Sequence, residues 1–120
     1  MISQQEPTNT NFILGVCKLM SRICGRSSAI VTISIQMLEK CRAICLGDAD
    51  ILCELAYTYL LVDEVDKAND CYKEAASADM TKTEAIVGMV RCQIIKGDYE
   101  DAECNCRRLN ILRLINKGLI

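Results

Sequence analysis

Apolar residues recur at intervals of three and four along most of this chain, and short Gly, Ser and Asp stretches interrupt them. From Asn11, the positions Ile13, Val16, Cys17, Met20, Ile23 and Cys24 predict an amphipathic helix ending at Gly25. "GRSS" then reads as a turn, with Ser27 or Ser28 able to cap the next helix by accepting from its free N–H groups. Over residues 29–45, Val31, Ile33 and Ile35 alternate with Thr32 and Ser34 as a strand would. The longer window, Ile30, Ile33, Met37, Cys41 and Ile44, keeps helical spacing, and length favours the helix. Ahead of all this, residues 1–11 are polar and carry Pro7, which predicts a loose or disordered tail.

"GDAD" marks a stop and a start: Gly47 suits the left-handed position after a helix, and Asp48 or Asp50 suits the cap of the next. Four more helices follow. The first has Leu52, Leu55, Ala56, Tyr59 and Leu60 on its apolar face. The second has Val65, Ala68, Cys71, Tyr72, Ala75 and Ala76, and the third Ala85, Ile86, Met89, Val90 and Ile94. "KGDYEDAE" turns into the fourth, which runs to about residue 114. From residue 48 onward the chain reads as two helical hairpins with short loops.

The two hairpins superimpose in sequence at an offset of 34: Leu52 falls on Ile86, Leu55 on Met89, Val65 on Tyr99 and Ala68 on Ala102. Antiparallel helices approach closely only where small residues sit at the crossing and bulky ones fill the spaces beside it. In residues 49–82 the small positions are Ala56, Ala68 and Ala75, and the large ones Leu52, Leu55, Tyr59 and Tyr72. A helix–turn–helix period of this length, with these residues, resembles the tetratricopeptide repeat. Leu52, where that family often has Trp, and Met80, where it often has Pro, depart from its pattern.

Residues 83–116 follow the family in "EAIVGMVRCQIIKGDYEDAE" and then diverge, with Cys106 at a bulky position and Leu109 at a small one. In the inter-helix turn Asp98 is expected to cap, Tyr99 to staple the turn and Ala102 to permit helix contact. One period earlier, Ser34, Leu38 and Cys41 suit a second helix, while Gly25 replaces the usual Tyr. The resemblance implies an all-α fold, a short tetratricopeptide-type solenoid of antiparallel helix pairs. Its expected parts are a tail at 1–11, a degenerate pair at 12–48, repeats at 49–82 and 83–116, and a tail at 117–120. Residues 104–120 carry apolar side chains where a terminal helix of an array is normally polar, so the sequence reads as a fragment or isoform of a longer array.

Two stretches, "LAYTYLLVDEVDKANDCYKEA" and "EAIVGMVRCQIIKGDYEDAE", make the chain similar to the large tetratricopeptide subunits of the ciliary intraflagellar-transport A complex. That resemblance implies a non-enzymatic scaffold in retrograde ciliary transport and cilium assembly. Its partners would be other protein subunits, and its location the cytoplasm, at the cilium or ciliary base. The alternative is a cytosolic peptide-binding adaptor or co-chaperone of the same repeat type. On the family's geometry the concave binding surface would be lined by Asp50, Cys53, Tyr57 and Leu60, then by Glu84, Val87, Arg91 and Ile94. Chaperone-tail receptors of the family clamp a carboxylate with cationic residues there, whereas this chain offers Arg91 flanked by acids.

Composition narrows the chemistry. At 120 residues the chain makes about one domain, with one Pro, one Phe and no Trp. Its net charge of -2 hides a division: residues 48–103 hold 14 acids against 5 bases, and residues 104–120 hold four bases and no acid. The acidic block would repel nucleic-acid phosphate, so no nucleic-acid partner is expected. There is no His, hence no Ser-His or Cys-His pair, and no Gly-rich phosphate loop; no enzyme activity and no cofactor are expected. Nine cysteines without a Cys-x-x-Cys pair, and without a basic N-terminal leader, read as small buried hydrophobes of a reducing compartment rather than as disulfides or a metal site. The longest apolar run is too short for a membrane span.

Overall fold

The computed structural model describes residues 9–118, which form six helices and no strand. The helices are α1 (Asn9–Ile23), α2 (Ser28–Ile44), α3 (Ala49–Leu61), α4 (Val65–Ala78), α5 (Thr83–Lys96) and α6 (Tyr99–Asn116). Local chemistry sets their limits. The Ser27 side chain accepts from the Ile30 N–H to start α2, and Asp48 accepts from the N–H groups of Asp50 and Ile51 to start α3. Gly47 and Gly97 take left-handed backbone at φ 78° and 84°, where a Cβ would be strained. Asp63, 34 residues before Gly97, does the same job at φ 61°.

Each helix packs on the next, and the first helices of the pairs, α1, α3 and α5, also touch in sequence. The second helices α2, α4 and α6 do not approach one another in this way, so clefts separate them on the outer side. This is a helical-repeat solenoid, as expected. A continuous core runs from Leu14 and Cys17 of α1 to Met89 and Cys92 of α5. Ala56, Ala68, Ala75 and Ala85 are wholly buried, and Leu38, Leu52, Leu55 and Ile86 fill the space beside them. Burial of each of these Leu and Ile side chains contributes roughly 1.5–3 kcal/mol and is the main force holding the stack.

The structure corrects several expectations. Helix α1 begins at Asn9, so residues 9–11 of the expected tail are helical; residues 1–8, 119 and 120 lie outside the described residues. The buried stripe of α1 is Thr10, Leu14, Cys17 and Ser21, and Ile23 is 77% exposed. On α2 the stripe is Val31, Ser34, Leu38 and Cys41, leaving Ile33 and Ile44 outside. Asp98 holds the cap position of α6 without a side-chain bond, and Tyr99 is 68% exposed. Ile94 and Ile95, which would floor that turn, are themselves exposed, so Tyr99 has nothing to staple. Ala102 is buried, the only residue of α6 that is.

Candidate functional site

The expected surface residues lie on α3 and α5, the inner helices of their pairs. Glu84, Val87, Arg91 and Ile94 recur every three or four residues along one exposed side of α5. Asp50 is exposed in the first turn of α3 and pairs with the Lys82 ammonium just before α5. That hydrogen bond from Lys82 raises the ammonium's pKa, and it ties the start of α3 to the residue that precedes α5. Tyr57 and Leu60 are half-buried. Cys53 is 1% exposed and cannot line a surface: burial, with the Glu84 charge adding to it, pushes its thiol up to about 12. Its small side chain fills a position where helices meet, which its register alone did not reveal.

Two polar clusters escape a reading of the sequence. In the first, Glu54 is 1% exposed in α3, and its carboxylate accepts from the Arg22 guanidinium at 2.7 Å and the Ser21 hydroxyl at 2.9 Å. Arg22 also lies over the Tyr57 ring, 4.4 Å from its centre. A buried carboxylate is costly unless paired, and here α1 supplies the pair across more than thirty residues. In the second, Arg42 of α2 reaches Glu39 at 3.5 Å and Glu74 of α4 at 2.6 Å, while the Tyr59 hydroxyl donates to Glu39. These side chains close the outer cleft between α2 and α4. Neither cluster has a signal in one sequence, because any charged residue on an exposed face looks alike until the stack sets its neighbours.

Burial also decides the cysteines. Cys17, Cys41, Cys53, Cys71 and Cys92 are buried, Cys104 and Cys106 exposed, and all nine are free thiols. Burial holds the five buried thiols above their ordinary pKa, Cys71 at about 11. Among the described residues no group of three or more His, Cys, Asp or Glu is placed to hold a metal ion, and no helix is long and apolar enough to cross a membrane.

A family profile described as the second ARM domain of tetratricopeptide repeat protein 21 matches residues 1–116. Tetratricopeptide repeat protein 21B of Homo sapiens is 31% identical over 109 residues, 91% of this chain and 8% of that protein. Tetratricopeptide repeat protein 21A of Mus musculus is 30% identical over 114 residues, 95% of this chain and 8% of that protein. The chain thus spans about a twelfth of the curated relatives it matches. Among solved structures, the second tetratricopeptide domain of Spaghetti bound to an HSP90 peptide superimposes with a TM-score of 0.78 at 13% identity, over 93% of this chain and 99% of that one. MamA superimposes with a TM-score of 0.79 at 16% identity, over 98% and 74%. At those identities the likeness is one of fold. With six helices stacked in pairs and a profile match over nearly its whole length, the chain belongs to the tetratricopeptide repeat protein 21 family.

Proposed function

We propose that this chain is a non-enzymatic protein-interaction scaffold, part of an intraflagellar-transport subunit that acts in retrograde ciliary transport and cilium assembly. On this reading it works in the cytoplasm at the cilium or ciliary base, its partners are other subunits of a larger assembly, and it needs no cofactor. The family match over residues 1–116 carries the reading. Repeats at 49–82 and 83–116 follow a degenerate pair at 12–48. The exposed side of α5 (Glu84, Val87, Arg91 and Ile94), with Asp50, Tyr57 and Leu60 of α3, is the proposed contact surface. Its apolar centre with acidic edges suits an apolar or basic partner segment more than an acidic tail.

Affinity purification of the tagged full chain from ciliated cells, read by mass spectrometry, tests this. The control is Leu55→Asp with Met89→Asp, which forces charges into the core and unfolds the chain. Selective recovery of intraflagellar-transport subunits by the unmutated chain is the expected result. Recovery of the same chaperones by both would remove the ciliary assignment. A distinct set of cytosolic clients would replace it with a peptide-binding adaptor.

A further inference from the structure

The outer clefts between the second helices differ in a way the repeat makes legible. In the cleft between α2 and α4, Glu39, Arg42 and Glu74 form a closed ionic triad over a cavity of about 270 Å³. Adding 34 to each number gives the corresponding residues of the cleft between α4 and α6: Lys73, Ala76 and Arg108. Both acids have become bases, and the arginine that bridged them has become alanine. Lys73 and Arg108 are exposed, and neither forms an ion pair among the described residues. With no side chain to bridge it, this cleft is larger, about 510 Å³, and is lined by Met80 and Met89. It continues, through the shared Met80 and Arg108, into a mostly apolar hollow of about 410 Å³ bordered by Ile111 and Leu112. Met80 is 69% exposed, a large apolar side chain left in water.

The cleft therefore combines an apolar floor with a cationic rim, on a chain whose middle is strongly acidic. Two unpaired cations about an apolar slot complement a segment that carries carboxylates on either side of an apolar anchor, the helix-in-groove mode with charged edges. Partner carboxylates there would stand near Lys73 and Arg108, while the anchor displaces water from Met80 and Met89. We propose that the cleft between α4 and α6 is a docking site for an acidic segment of a partner protein. It lies on the outer helices, apart from the α5 surface proposed above, and it deepens the scaffold reading on which it rests.

The test uses the full chain as bait for phage-displayed peptides, and fluorescence anisotropy with the enriched peptides synthesised. Enriched sequences should bear Asp or Glu around an apolar residue, and salt should weaken their binding. The exposed pair Lys73→Glu with Arg108→Glu should weaken it by about tenfold or more, since it replaces two attractions with two repulsions. Lys73→Glu with Ala76→Arg and Arg108→Glu, which installs the triad of the first cleft, should abolish it; Ala76 is 5% exposed, so the helical spectrum is checked alongside and the exposed double reversal carries the conclusion. Lys18→Glu with Arg26→Glu, exposed on α1 and the turn after it, should leave it unchanged. Enrichment without acidic residues, or affinity indifferent to the Lys73 and Arg108 reversals, would overturn the proposal. So would salt-sensitive self-association in the ultracentrifuge that the same reversals abolish, which would make a second copy the occupant. Recovery of transport subunits by the charge-reversed chain in the purification above keeps the fate of this cleft separate from that of the scaffold assignment.

Discussion

Gly88 lies in α5 where the Tyr72 ring of α4 presses on the helix backbone. A Cβ built at Gly88 would fall 2.5 Å from Tyr72 Cδ1 and closer still to Cε1 and Cζ. Carbon atoms rest at about 3.5–4.0 Å, so Gly88→Ala requires a displacement of roughly 1 Å or more. The ring cannot swing out freely, because Tyr72 is 3% exposed and packed on all sides. Two effects compete. Alanine is better than glycine inside a helix by about 1 kcal/mol, whereas overpacking costs typically about 1–3 kcal/mol, and forcing the Tyr72 side chain off its rotamer adds about 0.5–1.5 kcal/mol. The steric cost wins, and Gly88→Ala should destabilise by about 1–2 kcal/mol. For a chain of this size that lowers the melting temperature by roughly 4–8 °C. Urea titrations followed by circular dichroism measure it. Replacing Tyr72 with Leu leaves a cavity of its own but removes the clash, so the double variant should be more stable than the sum of the singles by about 1 kcal/mol. A Gly88→Ala chain at least as stable as the original, or strict additivity in the cycle, would refute the reasoning.

Other expectations are read by the same titrations unless stated. Arg22→Ala strands the buried Glu54 carboxylate; since the guanidinium is itself half-exposed, the loss should be about 2–3 kcal/mol, below that of a fully buried pair, and Arg22→Met with Glu54→Met should recover most of it. Asp63→Gly relieves left-handed backbone and should stabilise by about 0.5–1 kcal/mol, while Gly97→Ala, at the corresponding turn, should cost about 1 kcal/mol. The buried thiols titrate higher folded than unfolded, where 9.0 is ordinary, so the stability they contribute is complete below pH 9 and is lost as pH rises toward the values of about 11 for Cys71 and about 12 for Cys53. The urea midpoint should fall over that range. At neutral pH a thiol reagent should label Cys104 and Cys106 first, and Cys53, Cys71 and Cys92 only on unfolding; mapping by mass spectrometry tells them apart.

Much of the fold is legible in the sequence because a stacked repeat writes its geometry at a fixed interval. Ser34, Leu38 and Cys41 are all buried, as the 34-residue register places them, although hydrophobic periodicity in the same helix selects the exposed Ile33 and Ile44. Register outperforms hydropathy there because the approach between helices admits a small residue better than a greasy one. Turn and cap chemistry, rather than register, finds the Gly47–Asp48 turn. Register misleads at Cys53, where a surface position of the family is filled by a residue small enough to be enclosed. It misleads at Tyr99 as well, since the stapling role depends on what covers Ile94 and Ile95. The exposure of Glu84, Val87, Arg91 and Ile94 along one side of α5 accords with the family's geometry. The ionic clusters around Glu54 and Arg42 were not legible, because they depend on three-dimensional neighbours that only the stack supplies.

The tie between Arg22 and Glu54 bears on how far such a chain can be treated as interchangeable parts. Repeat arrays invite cutting and grafting, since each unit ordinarily meets only its neighbours through apolar contact. Here the first helix holds the counter-charge for a carboxylate enclosed in the next unit. Replacing residues 1–27 with a consensus helix lacking the arginine leaves the enclosed Glu54 carboxyl without its partner. A graft that respects the apolar pattern and ignores this one arginine fails, and a graft that carries Arg22 and Ser21 across with the helix keeps the boundary intact.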